Sequence, residues 1–185
     1  PQVLKAVIDT NVLVSGLLNP AGAPAQVLDL VIIGGLTPVF DDRILAEYHS
    51  VLSRPRFCLT RGDRKAVSDL LENNGQHINA PPLNLELPNP HDMPFIEVAV
   101  EGMCDFLITG NKKHFAARVL GRLSSPLLVI VPADFVSRVG ELYTAERRAE
   151  FLLSNAVGAD DYARAREDVI SMGLDPDAVS HRKPK

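Results

Sequence analysis

The sequence has little of what marks several large classes of protein. Its 185 residues contain only two cysteines, Cys58 and Cys104. Each stands beside apolar residues, which favours a reduced thiol in the core over a disulfide or a metal knuckle. No apolar run approaches the roughly twenty residues that a membrane span needs. We therefore expect a soluble globular protein without a disulfide framework.

Positive charge is also scarce. The formal net charge of −4 excludes a broad basic surface that holds nucleic acid by phosphate neutralisation alone. Two local basic runs remain: Arg54, Arg56, Arg61, Arg64 and Lys65, and then Lys112, Lys113, His114, Arg118 and Arg122. For either run taken alone, a solvated helix face is favoured over a nucleic-acid contact. Residues 1–8 predict a strand and lack the features of a secretory signal, so we expect a cytoplasmic location.

Strands and helices alternate along the chain. Short apolar runs predict strands at residues 3–8, 36–40, 104–109 and 126–131. Helical spacing and end signals predict helices at residues 25–33, 42–53, 64–73, 94–101, 144–155 and 160–172. This alternation indicates an α/β fold, with one domain at residues 1–140 and a helical extension with a basic tail at 141–185.

Three carboxylates lie where such a fold could bring them together. Asp9 follows the first strand, although it could simply form a turn with Asn11. Glu47 lies at the edge of the apolar stripe of its helix, where a solvated side chain is the alternative. Asp92 begins a mostly apolar helix, where it could cap free N–H groups. Open parallel sheets place ligands at the carboxyl ends of their strands, so we expect these acids to share one cleft.

Other polar residues give weaker signals. Asp105 and Thr109 flank a predicted buried strand, and Asn111 follows it as a candidate cap for a short helix. The histidines have no spacing typical of a zinc site. The chain also has no Gly-rich phosphate loop and no Gly-x-Ser-x-Gly elbow, which argues against nucleotide-binding and serine hydrolase sites.

Four segments taken in order are more specific than any single acid. They are DTNVLVSGLL at residues 9–18, ILAEYHSVLSRPRF at 44–57, NPHDMPFIEVA at 89–99 and CDFLITGNKKHF at 104–115. Together they resemble the signature segments of PIN domains, over about residues 3–139. The resemblance is strongest to the bacterial branch of VapC-type toxins from toxin–antitoxin pairs.

The resemblance implies a three-layer α/β/α fold with a central parallel sheet, and hydrolysis of RNA with Mg²⁺ or Mn²⁺. Asp9, Glu47 and Asp92 match the first three acids of the family's quartet, whereas Asn111 occupies the fourth position. As a neutral oxygen donor, Asn111 favours one firmly held metal ion and a second completed by substrate. Asp105 is the alternative source of the missing charge. The implied partners are RNA and an antitoxin protein, and no membrane.

Two alternatives and one expectation accompany this interpretation. Because of Asn111, the chain could be a PIN-like module that binds RNA or protein without cutting. A phosphatase of the haloacid dehalogenase kind also begins with an Asp after a strand, but its second Asp is here Asn11. The apolar faces at residues 144–172 should pack on the core as a lid or against a second copy as a dimer contact.

Overall fold

The computed structural model describes residues 4–115, 120–123, 127–140, 149–150, 152–154, 156, 159–171, 173 and 175–177. Arg118, Phe151, much of the predicted helix 144–155 and the basic tail 181–185 lie outside these described residues. Among the helices that are described, none is both long enough and apolar enough to cross a membrane.

Five parallel strands form the central sheet. They are β1 (Leu4–Ile8), β2 (Leu36–Phe40), β3 (Gln76–His77), β4 (Phe106–Ile108) and β5 (Leu128–Ile130). Their order across the sheet is β3-β2-β1-β4-β5, so β1 is central. Ala6, Val7 and Ile8 of β1 are all buried, as expected for a strand that is covered on both faces.

Helices flank the sheet in the three-layer α/β/α arrangement. They are α1 (Thr10–Leu18), α2 (Ala23–Ile32), α3 (Asp42–Leu52), α4 (Arg61–Asn74), α5 (Met93–Glu101) and α6 (Pro132–Gly140). A further helix, α7 (Ala159–Ser171), follows later in the chain. The predicted end signals are present: Asp41 caps α3 by accepting from the amides of Arg43 and Ile44, and Gly34 after α2 has a φ of 71°.

Two expectations from the sequence are wrong. Residues 10–18 form α1 with Asp9 as its N-cap, whereas the sequence predicted only a polar turn after the first strand. Cys104 is a buried free thiol, but Cys58 is exposed and has a φ of 52°, so it is not a core residue. Cys58 lies outside the core because it ends a tight 3₁₀ helix, Pro55–Phe57, on the surface.

The chain divides into two compact units between residues 136 and 137. The first unit contains the whole sheet. The second has a small apolar core of its own, formed by Ala149, Leu153, Ala165 and Val169. Ile170, which the sequence placed on an apolar face, is 60% exposed.

Candidate active site

The carboxyl ends of β1 and β4 form the edge at which polar side chains gather. These strands are neighbours in register, with Ile8 opposite Ile108, and the order of the strands reverses between them. Such a reversal opens a crevice at the ends of the strands. Asp9 and Thr109 are the first residues beyond these two strands, and the Thr109 hydroxyl donates to Oδ2 of Asp9 at 2.5 Å.

Asp9 is buried and well supplied with donors. Besides Thr109, the side-chain amide of Asn11 donates to Oδ2 at 2.9 Å, and the backbone amide of Asn11 donates to Oδ1 at 3.2 Å. Burial raises the pKa of Asp9 above its ordinary value, the hydrogen bonds from Thr109 and Asn11 lower it, and the charge of Asp92 raises it. The effect of Asp92 on this pKa places the two carboxylates in one electrostatic neighbourhood.

Glu47 reaches the same neighbourhood from α3. Its Oε1 accepts a hydrogen bond of 2.5 Å from the hydroxyl of Thr10, the first residue of α1. The next residue, Tyr48, is fully buried and donates its hydroxyl to the carbonyl of Ile8 at the end of β1. The pKa of Tyr48 is raised well above its ordinary value by burial first, and then by the charges of Asp9 and Glu47.

Asp92 has an oxygen without a hydrogen-bond partner. Its side chain does not cap α5, although the residue stands at the N-cap, so the capping interpretation of Asp92 is wrong. Nδ1 of His114 lies 2.9 Å from Oδ2, but it is not aligned for a hydrogen bond. Within the described residues, Oδ2 is therefore a buried acceptor that no donor satisfies, which carries a desolvation cost of about 1–3 kcal/mol.

Asn111 is joined to the site through His114. Its side-chain amide nitrogen lies 2.6 Å from Nε2 of His114, and it makes no capping bond to the short 3₁₀ helix Lys112–His114. With this amide as the donor, Nε2 accepts and the proton of a neutral imidazole is on Nδ1, whose position does not give a hydrogen bond to Asp92. His114 could not be predicted from the sequence, because a lone His after two lysines has no pattern that distinguishes it from a surface residue.

Asp105 lies at the other end of β4. Its Oδ2 accepts from the backbone amide of Lys5 at 2.9 Å, and its own amide donates to the carbonyl of Lys5. Lys5 belongs to the amino-terminal half of β1, away from Asp9. We call the carboxyl ends of β1 and β4, with Asp9, Glu47, Asp92 and Asn111 around them, the acidic edge. The structure does not bring Asp105 to the acidic edge, so we leave it out of the proposed ligands.

A second polar network supports the elements that carry the acids. Glu97 of α5 is buried and accepts from the Arg43 guanidinium at 2.5 Å and from the amide of Leu83 at 2.9 Å. Arg43 also bonds to Asp41, the cap of α3. This network joins α3, α5 and the loop between β3 and α5, and no pattern in the sequence predicts it.

Comparison with known proteins decides the family. A family model described as the PIN domain matches residues 5–113, which include every side chain placed at the acidic edge except His114. The chain belongs to the PIN domain family. An uncharacterized protein of Methanocaldococcus jannaschii is 30% identical over 118 residues, which cover 62% of this chain and 76% of that protein.

PIN domains are generally nuclease domains that use divalent metal ions. In the described part of this PIN domain, no three Asp, Glu, His or Cys side chains are placed around one common ion. Two carboxylates are nevertheless enough for Mg²⁺, which keeps several of its waters and is held by one or two carboxylates together with substrate phosphates. Asp9 and Asp92 fit this requirement, because both offer oxygen and Asp92 has an unsatisfied one.

Proposed function

We propose that this PIN domain is a divalent-metal-dependent endoribonuclease. The observation that carries the proposal is the buried, unsatisfied Oδ2 of Asp92, a carboxylate whose charge acts on Asp9 at the end of β1. A buried anionic oxygen without a donor is costly, and a cation would relieve that cost. Oxygen ligands favour a hard ion such as Mg²⁺ or Mn²⁺.

The residues of this edge have distinct roles in the proposal. Asp9 and Asp92 would hold the ion. Glu47, which is held in place by the hydrogen bond from Thr10, would face the ion from α3. A bound ion would lower the pKa of an attacking water and neutralise charge on the scissile phosphate. Thr109 and Asn11 fix the Asp9 carboxylate in one orientation. Asn111, as a neutral donor, leaves a second ion dependent on the substrate.

A second candidate function is a module that binds RNA or protein without cutting. The Asn111 amide supports it, because this position adds no negative charge and is engaged with His114. The absence of three converging ligands among the described residues also supports it. The two candidates make opposite predictions about hydrolysis.

The experiment is cleavage of a mixed pool of RNAs by the full chain with Mg²⁺ or Mn²⁺. We expect the wild-type protein to cut and the Asp9→Asn and Asp92→Asn proteins to lose on the order of 100-fold or more. Loss of a residue that only hydrogen-bonds to a metal ligand already costs about 10–100-fold, so loss of the ligand itself should cost at least as much. Asp105→Asn is the matched control, since it makes the same change at the opposite end of β4 and should keep full activity.

Two outcomes of this experiment would contradict the proposal. A wild-type protein that binds RNA but leaves it intact with every metal tested would favour the binding module. Equal losses in the Asp105→Asn and Asp92→Asn proteins would remove the acidic edge from the mechanism.

We further propose that the activity is that of a toxin with an antitoxin partner. The support is the likeness of the four signature segments to VapC-type chains. Induced expression of the active chain should then arrest bacterial growth, while Asp9→Asn expression should not. Unimpaired growth with an active ribonuclease would assign it another cellular role.

A further inference from the structure

The segment that joins α3 to α4 concentrates positive charge on an otherwise acidic chain. Between residues 54 and 65 there are five Arg or Lys residues and one acid, Asp63, whereas the whole chain has a net charge of −4. We call this stretch the basic segment. A local excess of this size attracts polyanions even when the protein as a whole repels them.

Three of the five cations are free to meet an external anion. Arg54, Arg56 and Arg61 are exposed, and none of them makes an ion pair within the part of the chain that the structure describes. The nearby carboxylate of Asp63 is occupied by the N-terminus of α4, where it accepts from the amide and the hydroxyl of Thr60.

The other two cations are already engaged. Lys65 forms an ion pair with Asp69 one turn along α4, at 2.6 Å. The Arg64 guanidinium donates to the carbonyl of Leu59 at 3.0 Å. The basic segment therefore contains free and engaged cations side by side, and they provide matched test positions.

The shape of the segment suits a nucleic acid strand. Pro55–Phe57 is a 3₁₀ helix, and the guanidinium carbon of Arg56 lies 4.6 Å from the centre of the Phe57 ring. Flat guanidinium and aromatic groups are the surfaces on which unpaired bases stack. An exposed cation beside such a pair can hold the phosphate while the base stacks.

The basic segment is also close enough to the acidic edge to serve the same strand. Glu47 and Arg54 belong to one continuous stretch of α3 and its end. At about 1.5 Å per residue, the step of seven positions from Glu47 to Arg54 corresponds to roughly 10 Å along the helix axis. A short single strand can span this distance.

We infer that the basic segment is the surface that holds single-stranded RNA for the acidic edge, with Arg54, Arg56 and Arg61 on phosphates and Phe57 beneath a base. This inference rests on the proposed ribonuclease function, because it assigns the substrate strand of that site. An acidic protein partner would use the same charges, but it would gain nothing from the flat Arg56 and Phe57 pair.

Binding can be measured separately from cleavage. The full chain is titrated, in EDTA, into a fluorescein-labelled single-stranded RNA of mixed sequence, and the affinity is followed by anisotropy over a range of salt concentrations. The logarithm of the affinity should fall by about 0.7 per phosphate contact for each tenfold rise in salt. Arg54→Gln/Arg56→Gln should therefore reduce the slope by about 1.4 and weaken binding to RNAs of every sequence.

Two further variants separate charge from other effects. Lys65→Gln removes the same charge from the same segment, but Lys65 is already paired with Asp69, so the slope should not change. Phe57→Leu should weaken binding without changing the slope, because stacking releases no counterions. Thermal melts establish that each variant is folded.

The outcomes are distinguishable from those of the proposed function. An unchanged slope in the Arg54→Gln/Arg56→Gln protein would overturn the inference even if the wild-type protein cuts RNA. A reduced slope in a protein that never cuts would uphold the inference and reject the ribonuclease. If the double variant loses binding to poly-L-glutamate but not to RNA, the surface belongs to an acidic protein partner and the inference is wrong.

Discussion

At the scale of the residue, two opposing effects act on the Asp9 carboxylate. Burial, the larger effect, raises its pKa, as does the charge of Asp92, while hydrogen bonds from Thr109 and Asn11 lower it. The folded chain therefore binds this proton more tightly than the unfolded chain does. Stability must then fall as the pH rises from the ordinary carboxyl pKa, about 4, through the raised pKa of Asp9. Above the raised pKa of Asp9, the full free-energy cost of the buried charge is present.

Asp9→Asn should consequently raise the free energy of unfolding of the metal-free protein at neutral pH. The gain should vanish below a pH of about 4, where Asp9 is protonated in both states. Urea denaturation in EDTA at a series of pH values measures this difference. Added Mn²⁺ should narrow it, because a bound ion stabilises the wild-type protein by mass action.

Asp134→Asn on α6 is the control, since it removes the same charge from an exposed position. It should change stability by less than about 1 kcal/mol and without this pH dependence. A metal-free Asp9→Asn protein that is less stable than wild type at pH 7 would show that the hydrogen bonds, and not burial, dominate at Asp9.

Individual acids could be placed from the sequence, but their contacts could not. Strand end, helix edge and helix start indicated positions for Asp9, Glu47 and Asp92. Within the described residues, the structure does not place the three around one common ion. Their role as metal ligands stays a prediction. The side chains of Asp92 and Asn111 make no capping bond, and the amide of Asn111 contacts His114 instead. The contacts of the three acids depend on packing between distant segments.

At the scale of the element, the composition of α1 does not predict a helix. Residues 10–18 are rich in β-branched and apolar types, and Asn19-Pro20 follows closely, so local signals favoured a turn and a loop. Residues 10–18 are nevertheless helical, because α1 packs closely against α2. A Cβ added at Gly16 would lie 2.7 Å from Cδ1 of Leu28, so α1 and α2 approach closely where Gly16 leaves room.

The helix α5 shows the same limit of local patterns. Glu97 and Glu101 are four residues apart and so lie on one face of the helix. Glu101 is exposed, as the pattern would suggest for both residues. Glu97 is buried because Arg43 and the loop at Leu83 cover it. The covering loop comes from another part of the chain, and no pattern within α5 predicts it.

Glu97→Ala should therefore destabilise the protein by about 2 kcal/mol. It removes a charge-assisted bond to Arg43 and leaves the amide of Leu83 without its acceptor. The cost stays below the larger values for buried ion pairs, because the Arg43 side chain is 43% exposed and can be solvated. Chemical denaturation gives the free energy, and hydrogen exchange at Leu83 should lose its protection.

Glu101→Ala is the matched control one turn further along the same helix. Its effect should stay within about 0.5 kcal/mol, as is usual for exposed positions. Equal stability of the two variants would mean that the network of Asp41, Arg43 and Glu97 contributes little to holding α3 and α5 together.

At the scale of the whole molecule, the alternation of strands and helices was enough to predict the α/β class, and the PIN resemblance implied the three layers that the structure has. The order β3-β2-β1-β4-β5 could not be read from the pattern, because it depends on pairing between strands far apart in sequence. That order matters for the site, since it makes β1 and β4 neighbours and brings Asp9 to Thr109.

Truncation can test whether the first unit folds and cuts RNA without the second unit. All residues of the acidic edge and the basic segment precede residue 115, and the second unit has its own core. We therefore expect a chain of residues 1–140, which keeps α6 whole, to fold and to cut RNA within about twofold of the full chain, or ~0.5 kcal/mol. Thermal melting, light scattering and the cleavage assay are compared for both proteins.

A variant of the full chain guards against failure to express the truncated one. Val169 is completely buried in the small core of the second unit, so Val169→Asp should unfold that unit and leave the first one intact. Limited proteolysis should then trim the variant to a stable fragment near residue 140. If cleavage rises in both the truncated chain and the Val169→Asp protein, the second unit restrains the acidic edge as a lid. If both proteins lose a dimer that the full chain forms, the second unit provides the contact between copies. Loss of the first unit's cooperative melt in both would contradict our expectation, because the fold of residues 1–140 would then depend on the helices that follow it.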